Sequence, residues 1–162
     1  HSVSVVESPA TETVERLRRG TDHERETAAH QVINDTDPDV TKALLRNFME
    51  EPSDAVRASA AFALAHRDGG ATDAIQPAMA TARDITCDVS IDKRLRKWSL
   101  ELWAKLDPNI GDNISLLAQQ EPDDGIRIRM FRIAFEHGDA AALGEMQSIV
   151  SRTSQTLAME AR

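Results

Sequence analysis

Two distant segments of the 162-residue chain share one helical pattern. The first reads EPSDAVRASAAFALAHRDG from Glu51 to Gly69, and the second reads EPDDGIRIRMFRIAFEHGD from Glu121 to Asp139. Both have Glu-Pro, then Asp, a β-branched residue before Arg, an apolar run and a final His in closely corresponding places. Self-similarity at a long spacing is typical of repeat architectures, so the chain is expected to be built from repeated structural units.

An Asp-x-x-Arg motif lies at the start of each repeated segment. It occurs three times, and a looser version places Asp92 four residues before its Arg. The intervals between the arginines are 32, 39 and 31 residues for Arg25, Arg57, Arg96 and Arg127. We interpret the longer middle interval as an insertion near the segment DITCDVSI. Each motif opens an apolar run after a turn signal and therefore marks the beginning of a helix.

The apolar residues of these runs have the spacing of one helical face, at i, i+4, i+7 and i+8. The two best runs place apolar residues at all of these offsets: Val56, Ala60, Ala63 and Leu64, and Ile126, Met130, Ile133 and Ala134. A third run has one polar member: Leu95, Ser99, Leu102 and Trp103. The first run is the weakest, as expected of a terminal repeat: Glu24, Ala28, Gln31 and Val32.

Further helices are predicted between the repeated ones. Asp37 is placed as an N-cap with Pro38 at the first helical position. In ATDAIQPAMATARD, Pro77 must either kink the helix or begin it. The segments NIGDNISLLAQQ and DAAALGEMQSIVSRT also have helical spacing, and no useful strand-like alternation occurs. The sequence therefore predicts an all-α array of antiparallel helix pairs.

The segments DAVRASAAFAL and DGIRIRMFRIAF resemble the second helix of a HEAT-like repeat, which typically starts with Asp, an aliphatic residue and Arg. The resemblance covers most of residues 10–160. It implies a right-handed α-solenoid of about four to five HEAT-like repeats, with the second helices on the concave side and the Asp and Arg linking neighbouring repeats. Armadillo-like and tetratricopeptide arrays are the alternatives. We expect residues 1–9 to be a flexible segment or tag remnant, and residues 10–162 to be a single repeat domain from a longer protein.

Charge and cysteine content restrict the partners and the compartment. The net charge of −8 argues against a general nucleic-acid binder, which usually has an excess of Lys and Arg. A single cysteine, Cys87, excludes an internal disulfide framework and fits a reducing compartment. No apolar window is long enough to cross a bilayer, and no secretory signal opens the chain. A cytoplasmic protein without membrane contact is therefore expected.

One row of the helix over residues 124–137 is left without apolar residues: Gly125, Arg129, Arg132 and Glu136. The same offsets in the other runs bring aromatic and basic residues into equivalent rows. Aromatic and Arg side chains together are typical of binding hot spots. The predicted binding residues, for an acidic or apolar protein segment, are Phe62, His66, Arg94, Trp98, Arg129 and Arg132. The alternative is that the two aromatic residues of this set only fill space between adjacent repeats.

The sequence gives little support to catalysis. HEAT-like deoxyhypusine hydroxylases bind iron through several His-Glu pairs, whereas this chain has only His23-Glu24, so neither a metal nor another cofactor is expected. No nucleophile-elbow or Gly-rich phosphate motif occurs. We expect a non-catalytic scaffold or regulatory domain that binds a protein, a peptide or a second copy of itself. The alternative is a ligand-handling or enzymatic HEAT-like protein, similar to bilin lyases or to nucleic-acid-binding solenoids.

Overall fold

The computed structural model describes residues 9–67 and 72–160 of the chain, and the side chains of residues 11–67 and 73–160. The described residues form ten α-helices, one short 3-10 helix and no strand, which confirms the all-α prediction. They belong to two compact units, His1–Leu106 and Asp107–Arg162. The predicted flexible segment 1–9 lies, up to residue 8, outside the described residues.

The first unit consists of two layers of helices. Its seven helices in the described ranges are α1 (Pro9–Arg19), α2 (Asp22–Gln31), α3 (Pro38–Glu50), α4 (Asp54–His66), α5 (Thr72–Ile75), α6 (Ala78–Cys87) and α7 (Lys93–Leu106). In one layer α3 contacts α1 and α6, and in the other α4 contacts α2 and α7. The layers are joined because α1 packs on α2, α3 on α4 and α6 on α7. Pro77 precedes α6 directly, so it begins this helix and does not kink it.

The second unit consists of a 3-10 turn followed by three helices. The turn covers Ile110–Asp112, and the helices are α8 (Ile114–Gln120), α9 (Asp124–Glu136) and α10 (Ala141–Glu160). The middle helix, α9, packs against both α8 and α10. Across both units, no described helix has the length and apolar character needed to cross a membrane.

Side-chain caps fix the start of the second helix in each pair, that is, of α2, α4, α7 and α9. A side-chain oxygen accepts a hydrogen bond from the backbone N–H three residues later at Thr21, Ser53, Asp92 and Asp123. Such a cap satisfies one of the N–H groups that the first helical turn leaves unpaired. In the looser motif the Asp itself is the cap, whereas in the other three motifs the Asp lies one residue later, at the first helical position. This shift explains the extra residue between Asp92 and its Arg.

The repeated arginines connect the two helices of each pair. Each donates a hydrogen bond to a backbone carbonyl at or just after the end of the preceding helix: Arg25 to Gly20 (3.0 Å), Arg57 to Phe48 (2.9 Å), Arg96 to Thr86 (3.0 Å) and Arg127 to Ala118 (3.1 Å). Carbonyl groups at helix C-termini lack intrahelical donors and carry partial negative charge, so a guanidinium is favourable there. Arg25 also pairs with Glu51 at 2.5 Å, which connects it to the next helix pair.

Burial confirms the predicted helical faces. The four offset positions of the α4, α7 and α9 runs are all buried, at 5% exposure or less. Of the four offset positions in the α2 run, Ala28 and Val32 are buried, while Glu24 and Gln31 are exposed, as the weak pattern of this run indicates. One detail of α9 differs from the expectation that only a polar row is left over. Phe135, in the last turn of the helix, is 44% exposed.

Candidate functional site

Three second helices of the first unit bring four ring side chains together. His30 comes from the last turn of α2, Phe62 and His66 from the last two turns of α4, and Trp98 from the middle of α7. The residues of α4 on either side of Phe62 are alanines, which are small enough to allow close approach of the neighbouring helices. We call these four residues the aromatic cluster.

Phe62 is the centre of the aromatic cluster. Its ring centroid lies 4.6 Å from His30, 4.4 Å from His66 and 4.6 Å from Trp98, and the last contact is edge-to-face. The His66 ring also meets the Trp98 ring edge-to-face, at 5.4 Å. Edge-to-face arrangements are favourable because the positive edge of one ring faces the negative face of the other. The cluster is therefore an ordered set of contacts across three helices.

The aromatic cluster remains partly open to solvent. Phe62 and Trp98 are half-buried, and His30 and His66 are exposed. Phe62 and Trp98 thus lie between neighbouring helices and also keep part of their surface exposed to solvent. The Nδ1–H of His66 donates to the Phe62 carbonyl at 2.9 Å, since a carbonyl can only accept. In the neutral ring this leaves Nε2 as an acceptor.

Basic side chains border the aromatic cluster. The Lys97 Nζ lies 4.5 Å from the centroid of the Trp98 ring, a cation–π contact. Arg94 donates from Nη2 to the buried Ser59 hydroxyl at 3.1 Å, which holds its guanidinium one turn from the cluster. Lys105 donates to the carbonyls of Leu64 and Arg67 at 2.8 and 2.7 Å, at the C-terminus of α4. These three cations form a basic border on a chain that is acidic as a whole, and the Glu26 carboxylate also acts on His30.

His30 is the ring whose protonation the surroundings disfavour. Partial burial of the imidazole lowers the pKa of His30 below 6.5, and the positive charge of Arg94 lowers it further. The carboxylate of Glu26 acts in the opposite direction but does not cancel these effects. Neutral His30 is therefore favoured near neutral pH, and the ring acts as an aromatic neighbour of Phe62.

The six predicted binding residues fall into two groups. Phe62, His66 and Trp98 contact one another in the first unit, and Arg94 lies on the same helix as Trp98, one turn before it. The other two, Arg129 and Arg132, lie in α9 of the second unit and are half-buried.

His30 is a member of the cluster that the prediction did not include. It occupies the same offset in α2 as Phe62 in α4, so the alignment of repeats already contained the signal. Its run has the weakest apolar pattern of the four, and for that reason the positions aligned within it were not included in the prediction.

The aromatic cluster combines apolar ring surface with neighbouring positive charge, two features that are frequent in binding surfaces. In the described part of the chain, no group of three or more His, Cys, Asp or Glu side chains could hold a metal ion.

A crevice of about 480 Å³ lies in the other layer of the first unit, between α1 and α3. Its charged lining residues have both signs: Glu15, Arg18, Asp37, Asp39, Lys42 and Arg46. A lining of mixed charge favours neither an anion nor a cation. The aromatic cluster is therefore the stronger candidate.

Comparisons with known proteins give no match: no protein-family model fits the chain, and no curated protein or solved structure is similar to it.

Proposed function

We propose that the aromatic cluster of the first unit is a protein-binding surface, and that the chain serves as a non-catalytic scaffold or regulatory domain. The observation that carries this proposal is the position of Phe62, which contacts rings from α2, α4 and α7 and is still partly exposed. Half-buried aromatic residues on a rigid support lose little conformational freedom on binding and are frequent binding hot spots.

The partner we propose is a protein segment that combines acidic residues with a large apolar side chain. The apolar side chain would contact the Phe62 and Trp98 rings. The acidic residues would meet the basic border formed by Arg94 and Lys97. On a chain of net charge −8, a local positive border selects acidic segments over basic ones.

The HEAT-like reading extends the proposal to the architecture. In the first unit, α1, α3 and α6 form one layer and α2, α4 and α7 the other, and the repeated Arg has the same role in each pair. These observations support stacked helix pairs in the first unit, and the HEAT-like resemblance implies that they belong to a right-handed α-solenoid of about four to five repeats. On this reading the aromatic cluster lies on the concave layer of second helices. A cytoplasmic location stays a prediction from the single cysteine.

Selection of short random peptides displayed on phage, with the whole chain as bait, tests the proposed function. We expect enriched peptides to contain Asp or Glu beside a large apolar residue. Their affinity should fall at least about tenfold for Trp98→Ala and for Arg94→Glu. The matched control is Arg83→Glu, which makes the same charge change on an exposed residue of α6 in the other layer.

Two results would contradict the proposal. One is a set of peptides whose binding is equally affected by Arg83→Glu and Arg94→Glu, since net charge would then be the cause. The other is peptide binding that Trp98→Ala leaves unchanged while it lowers the melting temperature, because the rings would then serve packing alone. Binding of duplex DNA that weakens steeply between low and physiological salt would instead indicate phosphate contacts.

A further inference from the structure

The last helix carries an exposed apolar series along one side. Three large side chains of α10, spaced by seven residues, are 43%, 53% and 61% exposed: Leu143, Val150 and Leu157. Single exposed apolar residues are normal on protein surfaces. A series aligned over about 21 Å of helix indicates a contact surface.

Small residues follow each member of this series. Gly144, Ser151 and Ala158 are the next residues in the chain, Gln147 and Ser154 lie between them, and all are exposed. A Cβ atom added at Gly144 would meet nothing within 4 Å, so the helix backbone is open there. We call the whole set the α10 strip: Leu143, Gly144, Gln147, Val150, Ser151, Ser154, Leu157 and Ala158.

The α10 strip is free of charge. At about 100° per residue, Glu145 and Arg152 project on the side opposite the strip. Ala142 and Ile149 are each 1% exposed and form the side that packs on α9. In a chain where 28% of the residues are charged, an uncharged exposed strip of this length is distinctive. It is therefore a surface on which close contact brings no electrostatic penalty.

We propose that the α10 strip is a contact surface between two copies of this chain. The two helices pair antiparallel about a two-fold axis that passes between Val150 and Ser151, so residues equally distant from this axis face each other. Large residues then meet small ones throughout: Leu143 faces Ala158 of the partner subunit, Gly144 faces Leu157 of the partner subunit, and Val150 faces Ser151 of the partner subunit. Between these contacts, the Gln147 amide faces the hydroxyl of Ser154 of the partner subunit.

The symmetry of the strip is the reason for choosing a second copy over an unrelated partner. A two-fold interface requires a surface that is complementary to itself. The α10 strip meets this requirement in shape, because large and small residues alternate across the pair as packed interfaces need. It also meets the requirement in charge, since Glu145 lies level with the uncharged Thr156 of the partner subunit and Arg152 level with Ile149 of the partner subunit.

A standard protein–protein interface buries about 800 Å² on each partner, and a single pair of helices buries less than that. The expected dimer is therefore weak, with a dissociation constant in the micromolar range. Sedimentation equilibrium of the whole chain over a series of concentrations measures it directly.

Two single substitutions test the proposed register. Val150→Glu brings two carboxylates together near the axis, and Ser151→Lys brings two ammonium groups together there. Each variant should dimerise at least about tenfold more weakly than the original chain. In an equimolar mixture, however, the new carboxylate of one chain faces the new ammonium of the other. We therefore expect the mixture to form a heterodimer.

The matched control is Ser148→Lys, which makes the same chemical change as Ser151→Lys on an exposed residue of α10 outside the strip. It should dimerise like the original chain, and circular dichroism should show unchanged helix content in all three variants. An original chain that stays monomeric up to about 1 mM overturns the proposal and leaves the strip to another occupant. A mixture without heterodimer overturns the antiparallel register, and so does a control that weakens the dimer as much as Ser151→Lys.

Discussion

Arg57 donates a hydrogen bond from Nε to the backbone carbonyl of Phe48, 2.9 Å away, and its guanidinium carbon lies 5.9 Å from the centroid of the Phe48 ring. The contact joins the first turn of α4 to the last turn of α3. The same bond from an equivalent Arg recurs in three other helix pairs. The Arg of the repeated Asp-x-x-Arg motif thus connects the two helices of a pair.

The Arg57 contact leads to the first prediction. Arg57→Ala removes a charged donor and leaves the Phe48 carbonyl without this partner, so the free energy of unfolding should fall by about 1 to 3 kcal/mol. The stability of Arg57→Lys should lie between that of the original chain and that of Arg57→Ala, because an ammonium keeps the charge but not the planar fork of donors. Urea denaturation followed by circular dichroism measures both changes.

The control for this prediction is Arg46→Ala. Arg46 forms an exposed pair with Glu50 at 3.2 Å within the same helix, with side-chain exposures of 58% and 68%. Its removal should change the free energy of unfolding by less than about 0.5 kcal/mol. Equal effects at the two positions would mean that the contact between α3 and α4 contributes nothing beyond surface charge.

The second prediction concerns the buried face of α4. Ala60 is 1% exposed, between helices that pack on both sides. Ala60→Asp places an unpaired carboxylate in an apolar interior, at a cost of several kcal/mol that a typical domain cannot absorb. We expect loss of the helical circular dichroism signal. Ala80→Asp, on an exposed residue of α6, should remain folded.

The third prediction concerns pH. The pKa of His30 is lowered below 6.5 by partial burial and by Arg94, so the unfolded chain binds a proton more readily than the folded one. The contribution of His30 to stability is therefore complete above pH 6.5. It is lost as the pH falls from 6.5 toward the lowered pKa of His30 in the folded chain. His30→Gln should remove this part of the pH dependence. NMR titration of the ring should give a higher pKa in Arg94→Met.

A different result would separate the causes of this shift. An unchanged His30 pKa in Arg94→Met would show that burial alone lowers it. A stability difference between the original chain and His30→Gln that is constant with pH would show that the ring titrates alike in the folded and unfolded states.

Helical faces and caps could be predicted because they depend on neighbours a few residues away. The i, i+4, i+7, i+8 rule identified the buried faces of α4, α7 and α9, and Asp37 is the N-cap of α3 as expected. The targets of long side chains could not be predicted in this way. Arg57 reaches its carbonyl, and Phe62 its ring contacts, only because whole helices pack together. The periodicity of one helix contains no information about this packing. His30 was missed for another reason: the alignment of repeats places it level with Phe62, but its run has the weakest apolar pattern of the four.

Two glycines of the second unit give the last prediction, because the same substitution should have opposite effects on them. Gly138 follows the C-cap of α9 with φ of +99°, and the adjacent turn is closed by bonds from Gly138 N to Phe135 O and from Asp139 N to Ala134 O, each 3.0 Å. Gly138→Ala forces a side chain into this left-handed region and should destabilise by about 1 kcal/mol. Gly144 lies inside α10 with open space around it, so Gly144→Ala should stabilise by about 0.5 to 1 kcal/mol. Thermal unfolding at low protein concentration, where self-association is negligible, measures both, and a shift of the same sign in the two variants would contradict the backbone argument.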